Sequence, residues 1–204
     1  MMIKVITFDL GNVLFDFDPL RAASGFLKLT GGKKSPFEVL RFFQESAVEK
    51  AYTEGHVTTQ EFYEHVAKGL EMKGDFEAFK RCYCDIFVVN KETFALAGEV
   101  RARGCKCFIL SNTNELHYDY LCDFNPALRS FDHAVLSYKE HCQKPHAMIY
   151  ERLIASAACE PEEICFTDDL LENVQAAEAA GICGHHFKSV QGLRADLVRR
   201  NVLL

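Results

Sequence analysis

Nowhere does the sequence approach the run of about 20 consecutive apolar residues that a helical membrane span needs. Residues 1–8 pass straight into a strand-like pattern without a signal-peptide layout, so a cytoplasmic location is expected. No Lys/Arg cluster follows a helical face far enough to track a phosphate backbone, and the formal net charge of −6 is spread along the chain, which makes nucleic acid a poor partner. Internal repeats and low-complexity tracts are absent. The nine cysteines are an odd number scattered through strand-like and helix-like segments, Cys105 and Cys107 among them. Reduced thiols packed as small hydrophobes explain them better than a disulfide framework. His141, Cys142 and His146 lack the spacing of a tetrahedral zinc site. His185 and His186, adjacent on a strand, point to opposite faces and cannot readily share one ion.

A chain of 204 residues, 49% of them apolar, can bury the core of one α/β domain that carries a smaller inserted one. Residues 3–8 form a short apolar, partly β-branched run that ends at Asp9, followed by the turn signal Leu10-Gly11-Asn12. Similar runs at 105–110, 134–136 and 164–166 stop at Ser111-Asn112-Thr113-Asn114, at Ser137 and at Thr167-Asp168-Asp169, and a last run spans 182–187. Helical patterns lie between them, with start signals at Pro145, expected at the first helical position, and at Asp169, three residues before Glu172. This alternation predicts an α/β fold: a doubly wound, Rossmann-like parallel sheet whose ligands sit outside the carboxyl ends of the strands.

Residues 18–90 break the alternation, with several helical segments and no convincing strand. Ser35 with Glu38 and Thr58 with Glu61 have the form of capping boxes, and Phe62, Val66 and Leu70 recur at helical spacing. The expected organisation is a core of 1–17 and 91–204 with an inserted all-helical cap subdomain at 18–90. Phe42, Phe43, Phe76, Phe79 and Phe87 are expected in the core of that bundle. Residues 32–54 are a candidate source of substrate contacts through the cap, where Lys33, Lys34 and Arg41 suit either anionic substrate groups or a solvated face.

Chemistry could reside at four places. Asp9, at a strand end before a tight turn, can attack phosphorus once a metal has neutralised the substrate's charge, although an Asx-capped turn is the commoner use of such a segment. Ser111 and Asn112 combine a hydroxyl and main-chain N–H groups into a phosphate cradle, and Asn112 with Glu115 also has the form of an N-cap box. Lys144 supplies a compact positive charge. Asp168 and Asp169 are adjacent carboxylates at a strand end, costly to bury unless a cation sits between them and Asp9, and Mg²⁺ suits a few carboxylates, waters and a phosphate. A helix N-cap explains one of this pair but not easily both. His117 either reaches the cleft or lies half-exposed on its helix.

The order Asp, Ser, Lys-Pro, Asp-Asp, with an early helical insert, resembles the haloacid dehalogenase-like superfamily, subfamily IA with a helical C1-type cap. The resemblance covers essentially the whole chain. Asp9-Leu10-Gly11-Asn12-Val13, Leu110-Ser111-Asn112-Thr113-Asn114, Lys144-Pro145 and Phe166-Thr167-Asp168-Asp169 with Asn173 look most like the bacterial sugar-phosphatase branch. That branch includes enzymes acting on glucose 1-phosphate, and the phosphatase domain of soluble epoxide hydrolase is a related type. The resemblance implies a phosphomonoester hydrolase acting on a small phosphorylated metabolite through an aspartyl-phosphate. Asp9, Ser111 and Lys144 would be catalytic, and Gly11, Asn12, Ser111, Asn112 and Lys144 would hold phosphate. Asp9, the Gly11 carbonyl, Asp168 and Asp169 would bind Mg²⁺, with Asp169 as the principal acid of the pair.

One position departs from the pattern. Most phosphatases of the superfamily carry, two residues after the nucleophile, an Asp that protonates the leaving group, and here that position is Gly11. General acid catalysis contributes about 10²–10⁴-fold. Either Asp16 or Asp18 replaces it, or the leaving group needs little protonation, as in a sugar 1-phosphate, or the domain only binds a phosphate ligand or a partner. The sugar 1-phosphate is the preferred expectation. A 2-haloacid dehalogenase also lacks the acid, but it needs no metal and would leave the Asp168-Asp169 charge without purpose.

Overall fold

The computed structural model describes residues 2–204; Met1, which the sequence reading places at the start of the core, lies outside the described residues. The chain runs through β1 (Val5–Phe8), β2 (Phe15–Phe17), α1 (Pro19–Leu29), α2 (Pro36–Glu45), α3 (Ala47–Thr53), α4 (Thr59–Gly69), α5 (Phe76–Cys84) and β3 (Phe87–Val89). It continues with α6 (Lys91–Ala102), β4 (Lys106–Ser111), α7 (Glu115–Phe124), β5 (His133–Leu136), α8 (Ser137–Glu140) and α9 (Ala147–Ala157). β6 (Ile164–Asp168), α10 (Leu171–Ala179), β7 (Cys183–His186) and α11 (Val190–Arg199) complete it.

The main sheet has the order β5-β4-β1-β6-β7, with every neighbouring pair parallel. β1 lies at its centre with all four residues buried, because both faces are covered. Alternation assigns the faces. Ile6 and Phe8 pack with Leu96 and Val100 of α6 and Leu193 and Leu197 of α11. Val5 packs with Ile149 and Leu153 of α9 and Ala177 of α10. Phe8 is in register with Ile109 on one side and Thr167 on the other. Asp9, Ser111 and Asp168 therefore arrive together at the carboxyl edge.

Helices α1 to α5 form the insertion. Both expected capping boxes are made, Ser35 with Glu38 and Thr58 with Glu61. Phe79 is fully buried at the centre, with the rings of Phe26, Phe62, Tyr63, Phe76 and Tyr83 around it. Phe42, Phe43 and Phe76 pack half-buried against the same cluster, and Leu116 of α7 joins it from the sheet side. Among the described residues no helix is long and apolar enough to cross a membrane. The cysteines described are free thiols.

Three local expectations differ from the structure. Residues 87–89 form a strand, β3, which pairs antiparallel with β2, although only helix was expected between 18 and 90. Three residues are too few to register as alternation, and Phe87 accordingly joins the sheet core rather than the bundle. Pro145 precedes the helix: His146 is the N-cap of α9, which starts at Ala147. Asp169 caps nothing, since α10 has Leu170 at its N-cap and no side-chain cap bond.

Replacing Phe79 by Ala removes the ring that the insertion is packed around. Phe79→Ala is expected to cost about 3–5 kcal/mol, read as a lower denaturation midpoint in urea.

Candidate active site

The Asp9 main-chain N–H donates to the Thr167 carbonyl at 3.0 Å, extending the β1–β6 ladder by one residue and fixing where the side chain begins. Asp9 Oδ1 accepts from the Leu10 N–H at 2.7 Å and from Lys144 Nζ at 2.9 Å. The same Nζ donates to Asp168 Oδ2 at 2.7 Å and to the Leu110 carbonyl at 3.0 Å. An ammonium has three protons, so Lys144, itself buried, is fully committed.

Asp168 is wholly buried and saturated. Its Oδ1 accepts from the Leu170 N–H (2.8 Å) and Asn173 Nδ2 (3.0 Å), and its Oδ2 accepts from Lys144 and from Asn173 Nδ2 (3.1 Å). Asn173 is held in turn by the Tyr150 hydroxyl, which donates to its carbonyl at 2.8 Å. Asp169 is half-buried; Asn12 Nδ2 donates to its Oδ2 at 2.9 Å, and His186 Nε2 donates to its carbonyl at 3.0 Å. Asn12 adopts φ 53°, a left-handed conformation that Asn tolerates, and its N–H is used by the Phe15 carbonyl at 2.7 Å. One N–H of its amide thus positions Asp169 and a second stays available, while its main-chain N–H is spent on Phe15.

Ligand oxygens of Asp9, Asp168 and Asp169 lie within 4.8 Å of one another. Burial pushes the Asp9 carboxyl up to about 6, with Asp168 adding to the rise and Lys144 opposing it. For Lys144, burial works against the ammonium, but the charges of Asp9 and Asp168 outweigh it and hold the pKa above its ordinary value. Two carboxylates bonded to one ammonium, with the Asp169 carboxylate close beside them, leave two negative charges uncompensated, and the oxygens still open on Asp9 and Asp169 fit a hard divalent cation.

The segment after β4 is tied down differently from the N-cap expectation. Asn112 Nδ2 donates to the Lys144 carbonyl at 2.9 Å and its Oδ1 accepts from the Lys144 N–H at 2.7 Å, a two-way clamp on that residue's backbone. Asn114, not Asn112, caps α7 by accepting from the His117 N–H at 3.0 Å. The Ser137 hydroxyl accepts from the Thr113 N–H at 2.9 Å. Ser111 is buried at the end of β4, beside a cavity of about 220 Å³ whose wall includes Gly11, Asn112, Glu49 and His117. A Cβ on Gly11 would meet nothing within 4 Å, so space does not demand the glycine.

The residues considered for the missing acid are not in this cavity wall. Asp18 is occupied as the N-cap of α1, accepting from the N–H groups of Leu20 and Arg21, and Asp16 is exposed on β2. Lys33 and Lys34 pair with Glu71, and Arg41 with Glu45, on the solvated outside of the insertion. His117 does reach the cleft: half-buried, it stacks on Tyr83 at 4.2 Å and donates from Nε2 to the Tyr83 carbonyl at 3.0 Å. Burial pushes its pKa down to about 4. His185 faces away and meets Asp196 at 3.1 Å. Sequence reasoning singled out neither Glu49, which lies within the region 32–54 expected to supply substrate contacts, nor Tyr83. Both sit on helices of the insertion, where a lone Glu or Tyr carries no motif, and only the fold brings Glu49 into the same cavity wall as Gly11, with Tyr83 bonded to it.

The model of the haloacid dehalogenase-like hydrolases matches residues 3–181. Sesquiterpene phosphatase astK of Aspergillus oryzae is 24% identical over 185 residues, covering 90% of this chain and 89% of that protein. The D-ribitol-5-phosphate phosphatase of Bacteroides thetaiotaomicron is 25% identical over 189 residues, covering 88% and 89%. A HAD family enzyme of Bacteroides thetaiotaomicron, solved in complex with magnesium and inorganic phosphate, superposes with a TM-score of 0.82 at 24% identity, covering 91% of this chain and 94% of that one.

Two outcomes follow from the electrostatics. Lys144→Met strands two buried carboxylates without their counter-charge, so it is expected to cost roughly 3–5 kcal/mol at neutral pH, a loss that shrinks in urea titrations run at lower pH as the carboxylates protonate. For His117, the folded pKa of about 4 lies below the ordinary 6.5, so between those values the unfolded chain binds a proton that the folded chain does not. Stability therefore falls as pH drops through that window, and His117→Gln is expected to lose less stability than the wild type between pH 7 and pH 5.

Proposed function

Because the chain belongs to the haloacid dehalogenase-like hydrolase family, we propose that it is a Mg²⁺-dependent phosphatase that hydrolyses phosphomonoesters of small metabolites through a phosphorylated Asp9. The observation that carries this reading is the gathering of Asp9, Asp168 and Asp169 at the carboxyl edge of the sheet, the first two bonded to the buried Lys144. When bound, Mg²⁺ would neutralise the charge of these carboxylates and of the substrate phosphate.

Asp9 Oδ1 is held by the Leu10 N–H and Lys144, while Oδ2 accepts no hydrogen bond among the described residues and is the oxygen free to attack phosphorus. Asp169 and the Gly11 carbonyl join Asp9 as metal ligands in this reading. Asp168 has both oxygens saturated by N–H donors, so its part is to hold Lys144 in place. In this reading Ser111 Oγ and the main-chain N–H groups of Gly11 and Asn112 receive the phosphoryl oxygens, supported by the two N–H groups entering no hydrogen bond among the described residues. Residues 18–90 act as the cap over residues 1–17 and 91–204, with β3 belonging by its pairing to the core side.

Gly11 leaves two kinds of leaving group open: a comparatively acidic anomeric oxygen, as in a sugar 1-phosphate, which departs without help, and an ordinary alcohol oxygen protonated by a group elsewhere in the cavity. A dehalogenase is disfavoured by Asp169, whose carboxylate adds negative charge to a cluster that a metal-free reaction would leave uncompensated.

A screen of phosphorylated metabolites for inorganic phosphate release tests the proposal. Activity is expected with Mg²⁺, is expected to vanish on chelation and return with added Mg²⁺, and is expected to fall to the no-enzyme level in Asp9→Asn. Phosphate release that persists in Asp9→Asn would refute the assignment of the nucleophile.

A further inference from the structure

Two cavities beneath the insertion share part of their walls. One, about 220 Å³, has Gly11 and Ser111 in its wall. The other, about 210 Å³, lies among α1, α2 and α5 and is walled chiefly by Phe26, Leu40, Phe43 and Ile86. Phe17, Glu49 and His117 line both. The cavity beside Gly11 and Ser111 and the apolar chamber are thus neighbours with a shared wall, and Glu49, on α3, stands in that wall.

Glu49 is fixed there by a short relay. Its Oε1 accepts from the Tyr83 hydroxyl at 2.7 Å, and that hydroxyl accepts from Asn114 Nδ2 at 2.8 Å, so the carboxyl is tied to the loop that follows Ser111. Oε2 is buried with no hydrogen-bond partner among the described residues. Burial pushes the Glu49 carboxyl up to about 7, the Tyr83 hydrogen bond opposing it. When protonated, this carboxyl is an O–H donor without an acceptor, carried by a residue that walls the cavity beside Gly11 and Ser111.

The walls also select the alcohol. A sugar or polyol would bring several hydroxyls against Phe, Leu and Ile side chains, where each one left unpaired is unfavourable. A hydrocarbon group would instead leave water for a surface of its own kind.

Resting on the phosphatase reading, we propose that the substrate is the phosphomonoester of an apolar alcohol, with its hydrocarbon part in this chamber, and that Glu49 is the catalytic residue that protonates the departing alcohol oxygen. As the bond from Asp9 Oδ2 to phosphorus forms, the bond from phosphorus to the alcohol oxygen breaks, and that oxygen takes the Glu49 proton. The Glu49 carboxylate regains a proton from the water that then cleaves the aspartyl-phosphate.

The test compares n-hexyl phosphate, glycerol phosphate, glucose 1-phosphate and p-nitrophenyl phosphate in the wild type, Glu49→Gln and Leu40→Arg, all with Mg²⁺. Glutamine keeps an oxygen for the Tyr83 hydroxyl but has no acidic proton. The wild type is expected to favour hexyl phosphate over both hydroxyl-rich esters in kcat/KM. Glu49→Gln is expected to lower kcat on hexyl phosphate by about 10²-fold or more, with a much smaller loss on p-nitrophenyl phosphate, whose leaving group needs no proton. Leu40→Arg, in the chamber wall away from the phosphoryl site, is expected to raise KM for hexyl phosphate about tenfold. Equal losses in Glu49→Gln on both esters, or a wild-type preference for glucose 1-phosphate or glycerol phosphate, would overturn the inference and leave the phosphatase reading standing. A wild type inert on every ester would overturn both.

Discussion

The buried Lys144 ammonium is the constraint that organises the site. It lies 2.9 Å from Asp9 and 2.7 Å from Asp168, residues that the chain separates by more than a hundred positions. Without it, two carboxylates in a closed sheet interior would repel each other at short range and be strongly disfavoured. With it, one carboxylate is immobilised by every donor around it, while the other keeps an oxygen free. Much of the neighbouring polar structure serves this arrangement. Asn112 clamps the backbone of Lys144, Asn173 fills the remaining positions on Asp168, and Tyr150 holds Asn173. The cluster keeps a negative balance, so the same contacts that stabilise it also make it a place for a cation.

The sheet supplies the convergence. A parallel strand buried on both faces can be recognised as a short apolar run, and its polar terminus must then emerge at the carboxyl edge. That is why Asp9, Ser111 and the Asp168-Asp169 pair were legible as strand-end residues, and why the α/β class followed from the alternation of elements. Lys144 was legible by motif, although its partners were not. No spacing rule says that its three protons go to Asp9, Asp168 and the Leu110 carbonyl.

What could not be read was of two kinds. Short elements carry too few residues for a period, as with β3, whose pairing with β2 depends on Phe15 and Phe87 meeting in space. Local capping signals also compete with tertiary demand: Asn112 looked able to cap α7 and Asp169 to cap α10, and neither does. Asn114 capped α7 because Asn112 was taken by the Lys144 backbone, and Asp169 was taken by Asn12 and His186. The residues of the insertion that face the site gave no signal, because their chemistry depends on what lies across the cleft. Glu49 in sequence is one acid among many; in the cavity wall with Gly11, with an unpartnered buried oxygen, it is distinct.

That contrast bears on why the position two residues after Asp9 can be glycine. A carboxyl there would stand beside three others that already outnumber their single buried cation, and holding a proton would depend on the same charges that hold the metal. On α3 the proposed acid is lifted by desolvation and tied to Tyr83, with no carboxylate among the causes of its shift. Its proton is then governed separately from the charge at the sheet edge. In the proposed reading the two halves of the reaction belong to different layers of the molecule: the sheet holds phosphate and charge, while the helical layer holds the proton and the alcohol. Substrate choice could then change through the walls around Phe43 and Leu40 without disturbing the Asp9, Lys144 and Asp168 contacts. An acid at position 11 would instead have bound leaving-group chemistry to the metal site itself.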